Sequence, residues 1–123
     1  MSESTPATTG LSDLELAVLD VVLATDGEIS AQLRAQAEAA TVVSRTPSGV
    51  GFMTKLDVPP DLGIPGRPED ETLRTVHGRH PALPSGAEFI VQVKAGRLNT
   101  IEAFCYEGMW PRDESQFSVE VRP

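Results

Sequence analysis

Ala87-Glu88-Phe89-Ile90-Val91-Gln92-Val93-Lys94-Ala95-Gly96-Arg97-Leu98-Asn99-Thr100-Ile101-Glu102-Ala103-Phe104-Cys105-Tyr106 reads as a β-hairpin. Phe89, Val91 and Val93 alternate with Ile90, Gln92 and Lys94, Lys94-Ala95-Gly96-Arg97 reverses the chain, and an apolar-rich run from Leu98 to Tyr106 returns it. Ala95 is a poor choice for the two positive φ angles of a type I′ turn. The expected turn is therefore type I over Lys94 and Ala95, with Gly96 alone in the left-handed region as a G1 bulge. Leu98 and Ile101 are three apart, so both reach one face only if Asn99 and Thr100 form a second irregularity.

The chain has 123 residues, enough for a core without disulfides or metal, and 40% of them are hydrophobic. The expected organisation is a disordered lead over 1–10, rich in Ser, Thr and Pro, and a single domain over 11–123. The lone cysteine, Cys105, forms no intrachain disulfide, and its place in an apolar strand points to a buried, reduced thiol. A basic region followed by an apolar run, as in a signal peptide, is missing from the first residues, and no apolar run approaches membrane-spanning length. A cytoplasmic protein with no membrane association is expected.

Eighteen acidic against ten basic residues give a formal charge of −8. That average field repels a phosphate backbone, which argues against nucleic-acid binding. It suits solubility first and a basic protein partner second.

Ser12 and Glu15 have capping-box spacing ahead of a strongly apolar run, predicting a helix over about 13–24 that ends at Asp26-Gly27. Leu33, Ala37 and Ala40 predict a second, thinly hydrophobic helix over about 30–40. Thr41 to Thr46 is strand-like and Pro47-Ser48-Gly49 breaks it. Val50 to Val58 then alternates, with Phe52, Thr54 and Leu56 on one face, and Gly51 marks a bulge or a close approach, an aromatic ring crossing it being the reading considered. Residues 59–70 hold too many prolines and glycines for regular structure and form a connection with the character of a flap or binding loop. A short strand is expected over 72–77, a turn-rich stretch over 78–86 and an edge strand over 117–121. Together these predict an α+β fold: two N-terminal helices packed on one face of an antiparallel sheet of four to six strands, with the 87–106 hairpin central.

Gly49-Val50-Gly51-Phe52-Met53-Thr54, Ile101-Glu102-Ala103-Phe104 and Tyr106-Glu107-Gly108-Met109-Trp110-Pro111 resemble a family of small uncharacterised bacterial proteins. Members carry a Gly-Val-Gly-Phe-Phe-Thr strand and a Leu-Glu-Gly-Tyr-Thr-Tyr strand closing on Trp-Pro, and the resemblance covers roughly residues 40–112. Met53 departs from the second Phe, and Ala103-Phe104-Cys105 from Gly-Tyr-Thr. The family has no established activity, so the resemblance implies a coherent fold and carries no catalytic residues across.

Candidate chemistry is sparse. His77 and His80 are weak metal candidates, since an i, i+3 pair on a strand points to opposite faces; surface histidines are preferred and no cofactor is expected. Cys105 lacks the electropositive setting of a reactive thiol. Ser48 is a turn residue outside any Gly-x-Ser-x-Gly elbow, and Gly49-Val50-Gly51 lacks the rest of a dinucleotide fingerprint. Glu69-Asp70-Glu71, beside Arg67 and Arg74, reads as a solvated loop. Tyr106, Met109 and Trp110 form either an interface anchor or, as preferred, a group in which Trp110 caps the core.

The leading functional expectation is a non-enzymatic interaction protein, one form being an immunity-type protein that masks a basic toxin. The alternatives are a small-ligand binder using Arg45, Phe52, Lys55, Tyr106 and Trp110 on a concave sheet face, and a metal- or thiol-dependent enzyme on His77, His80 and Cys105. A homodimer through the 117–121 edge strand is a further expected partner arrangement. Burying Phe89, Val91, Val93, Ile101 and Phe104 contributes about 1.5–3 kcal/mol each before entropy is subtracted. Val91→Asp is therefore expected to abolish cooperative thermal unfolding; a variant melting like the parent would remove the hairpin from the centre of the fold.

Overall fold

The structure is a computed structural model and describes residues 10–24, 28–67 and 69–121. The lead expected over 1–10, apart from Gly10, and the helix stop at Asp26-Gly27 lie outside them. The architecture is α+β. Helices α1 (Asp13–Val22) and α2 (Glu28–Ala39) precede strands β1 (Thr41–Pro47), β2 (Gly51–Asp57), β3 (Glu71–Thr72), β4 (Val76–His80), β5 (Leu83–Lys94), β6 (Arg97–Cys105) and β7 (Ser118–Val121). The sheet is antiparallel in the order β1-β2-β6-β5-β4-β7, with β3 also pairing β5. The 87–106 hairpin is thus central, and β7 is an edge strand as expected.

The sheet has seven strands, which corrects the four to six expected from the pattern. Much of 78–86 is strand rather than turn: β4 runs to His80, Pro81 and Ala82 reverse the chain, and β5 begins at Leu83. Its alternation is hidden because Arg79 lies opposite Pro84, Ser85 and Gly86, an irregularity that breaks the period of two. Glu71–Thr72 carries no apolar alternation at all and is held by its pairing with Gln92 and Val93.

The hairpin turn also differs. Lys94 pairs with Arg97, and the two residues between them both have positive φ, Ala95 at 51° and Gly96 at 77°, so the turn is type I′. Tertiary bonds outweigh the cost at Ala95. Buried Gln36 of α2 donates to Gly96 O (2.8 Å) and Leu62 O (2.9 Å) and accepts from Leu98 N–H (2.8 Å), while Ile64 N–H donates to Gly96 O (3.0 Å). The same bonds anchor Leu62 and Ile64 of the 59–70 connection, whose Pro60–Leu62 segment is a 3₁₀ turn.

Of the two arrangements left open for Leu98 and Ile101, the structure has the one with an irregularity: Gln92 faces Thr100 but Val93 faces Leu98, leaving Asn99 without an opposite residue. Leu98 and Ile101 are consequently both buried. Gly51 is a close approach by backbone, not by a ring, since a Cβ there would lie 1.8 Å from Ala103 O.

The turn type has a direct test. An alanine at positive φ is strained, so Ala95→Gly is expected to hold stability or raise it by up to about 1 kcal/mol in urea unfolding. A right-handed Ala95 would instead make the glycine variant weaker.

Candidate functional site

Strand alternation sorts the side chains onto two faces. Phe52, Ala103, Phe89 and Val76 are opposite one another across four strands, as are Thr54, Ile101 and Val91, and all are buried. The other face carries Gly51, Phe104, Glu88 and His77 in one row, Met53, Glu102 and Ile90 in the next, and Lys55, Thr100 and Gln92 beyond. Most of its side chains are exposed or half-exposed.

The five residues expected to form one ligand site are divided between these faces. Arg45 pairs with Thr54 on the buried face, where Nε donates to Glu15 Oε2 (3.1 Å), and NH2 donates to Glu15 Oε1 and to Gly10 O (3.0 Å). Phe52 is buried and meets Trp110 edge to face at 5.6 Å. Trp110 also contacts Phe89 at 5.9 Å and stacks on Phe117 at 5.0 Å, and its Nε1–H donates to Glu114 (2.8 Å). Its ring closes one end of the buried face. Lys55 and Tyr106 are on the opposite side, where Tyr106 meets Phe104 edge to face at 5.5 Å and is 60% exposed.

The two histidines are separately engaged. His77 Nδ1 bonds the largely buried Glu88 carboxylate (2.9 Å), whereas His80 bonds Asp113 O through Nε2 (2.8 Å) and accepts from Ala82 N–H through Nδ1 (3.0 Å). Among the described residues, no three histidine, cysteine or acidic side chains are grouped to hold a metal. Cys105 is buried, its thiol directed at Gly108 O (3.7 Å). One guanidinium nitrogen of Arg67, NH1, donates to both Glu71 oxygens (2.8 Å each) within the acidic loop.

The exposed sheet face gathers residues that the linear pattern did not group. Phe104 has the side-chain-free Gly51 opposite it and Met53 and Ile90 on the neighbouring row, and Tyr106 continues the apolar surface through its ring contact with Phe104. Met53, Tyr106 and Met109 are 40%, 60% and 76% exposed. Glu102 and Glu107 flank this aromatic end, and Glu107 accepts a hydrogen bond from Ser85. At the hairpin-turn end the charge reverses, with Lys55, Lys94 and Arg97 around a cleft of about 270 Å³. The off-phase positions of β5, Ile90, Gln92 and Lys94, were the available signal for this face. No family model, curated protein or solved structure matches this chain. Function is accordingly inferred from the geometry of this face.

What positions the strands beneath it is the buried Glu15. Ser12 and Glu15 complete the capping box of α1, Ser12 N–H donating to Glu15 Oε1 (2.8 Å) and Glu15 N–H to Ser12 Oγ (3.1 Å). The same carboxylate accepts from the Thr54 hydroxyl and from Arg45. Burial alone would raise its pKa, but hydrogen bonds from Arg45, Thr54 and Ser12 N–H, with the Arg45 charge, hold it below the ordinary glutamate value. A depressed folded pKa contributes stability above the unfolded value, and that contribution disappears as pH falls through the folded value. Denaturation midpoints measured against pH are expected to fall on the acid side, with a shallower fall in Glu15→Gln. Arg45→Ala should cost about 2–3 kcal/mol near neutral pH, less than a fully buried pair because Arg45 is partly solvated. A neutral effect of Arg45→Ala would show that water satisfies Glu15 equally well.

Proposed function

We propose that this chain is a non-enzymatic interaction module that docks a basic protein partner on the aromatic end of its exposed sheet face. In this reading both helices pack on the opposite face and leave this one open. The observation that carries it is the edge-to-face Phe104–Tyr106 pair, with exposed Met53 on the neighbouring row, exposed Met109 three residues beyond Tyr106 in the chain, and Glu102 and Glu107 next to the pair along the chain. Aromatic residues and methionine are enriched at protein interfaces, with Tyr a frequent energetic hot spot, and a rim of one charge selects the opposite charge. A lysine or arginine of the partner could pair with Glu102 or Glu107 while lying on the Tyr106 ring. The net charge of −8 assists encounter with such a partner. An immunity-type role, in which the module masks a basic toxin in the cytoplasm, is the specific form proposed. No helix among the described residues is long and apolar enough to cross a membrane.

Affinity capture from the source organism tests this reading, using the full chain and a Tyr106→Ala/Met109→Ala variant, whose altered side chains are both exposed. Near about 50 mM salt a reproducible basic protein is expected, retained at least about tenfold less by the variant and released near about 500 mM. Capture of nothing reproducible, or equal capture by the variant, would sink the proposal.

A further inference from the structure

We infer that the cleft beside the β5–β6 turn is an anion site that takes the phosphate monoester group of a small molecule. The chain has only ten lysines and arginines against eighteen acidic residues, yet three of the ten line this one cleft: Lys55 from β2, Lys94 from β5 and Arg97 from β6. Asp57 is the acidic residue of its lining. Neither Lys55 nor Lys94 makes a side-chain hydrogen bond or ion pair among the described residues. Arg97 spends one N–H on Val58 O (3.0 Å), leaving the rest of its planar fork free to donate.

The cations are mounted on fixed backbone. Lys94 and Arg97 flank the type I′ turn that Gln36 and Ile64 hold by three hydrogen bonds, two to Gly96 O and one from Leu98 N–H. The bulge leaves Asn99, another residue of the cleft lining, without an opposite residue on β5. Lys55 approaches from the other side of β6, so a ligand would be met from both flanking strands, which are roughly 10 Å apart. Such a preset arrangement has little ordering entropy left to lose.

Charge selects the ligand class. Three cations outnumber the one carboxylate of the lining, Asp57, so an anion seated between them gains from a net positive site. The protein's overall negative field opposes any anion, so selection rests on the local cations, from which a singly charged carboxylate gains less than a dianion. A phosphate monoester carries about −1.5 to −2 near neutral pH and offers three acceptor oxygens, enough to engage two ammonium groups and the Arg97 fork together. Val43, 60% exposed at the rim, provides an apolar wall for the organic portion. This site is separate from the aromatic end and does not depend on the docking proposal.

Nitrogen-15 NMR titration of the full chain tests the inference, with glycerol phosphate, inorganic phosphate and acetate compared at constant ionic strength. Glycerol phosphate is expected to shift the amides of Lys55, Lys94, Arg97 and Asn99 saturably and to bind more tightly than inorganic phosphate, with acetate weakest. Lys55→Gln/Lys94→Gln should weaken binding at least tenfold at an unchanged melting temperature. Tighter binding of inorganic phosphate would overturn the ester assignment in favour of the free ion. Non-saturating shifts, shifts equally large at Arg34 and Arg112, or an unaffected double variant would overturn the site and leave only a general ion atmosphere.

Discussion

A carboxylate taken fully out of water must be satisfied on every side, and Glu15 shows how that requirement organises the chain. It closes the N-terminus of α1, accepts the Thr54 hydroxyl from β2 and receives the Arg45 guanidinium from β1. The helix is thereby held to the β1–β2 pair, 30 and 39 residues further along the chain, because displacement of either leaves a charge buried without its partner. Gln36 plays the neutral counterpart at the other helix, joining α2 to the 59–70 connection and to the hairpin turn. Apolar burial drives the assembly, while these two polar side chains set its register.

The consequence for function is a division of labour between the faces of the sheet. The buried face consumes the aromatic residues Phe52, Phe89, Trp110 and Phe117 in a single cluster. Phe104, Tyr106, Met53 and Met109 are left for the exposed side, where they neighbour carboxylates. The cations Lys55, Lys94 and Arg97 sit at the other end of that face. An otherwise acidic protein therefore presents two surfaces of opposite chemistry, which is why a macromolecular partner and a small anion can be assigned to different ends.

Much of the fold was legible because it follows from local rules. The capping box at Ser12 and Glu15, the alternation of Phe89, Val91 and Val93, and the irregularity that Leu98 and Ile101 need in order to share a face all report local geometry. The strand through 78–80 and 83–86 was not legible, since glycine, proline and a bulge erase the two-residue period that identifies a strand. The proposed site was legible only in pieces. Lys55, Tyr106 and Trp110 stood out by type, but nothing local places Lys55 and Tyr106 on one face and Trp110 on the other.

The sequence by itself determined the α+β class, the two helices, the central hairpin and the acidic balance, because periodicity and composition act over a few residues at a time. Tertiary structure alone decided the type I′ turn at Ala95-Gly96, the partners of Glu15 and Gln36, and the grouping of Lys55 with Lys94 and Arg97. Those outcomes depend on backbone groups brought together from distant positions: a strained alanine is tolerated where Gln36 and Ile64 bond the turn, and a cluster of cations forms where β2 and β5 flank β6. No local pattern encodes such meetings, which arise from the order of strands in the sheet.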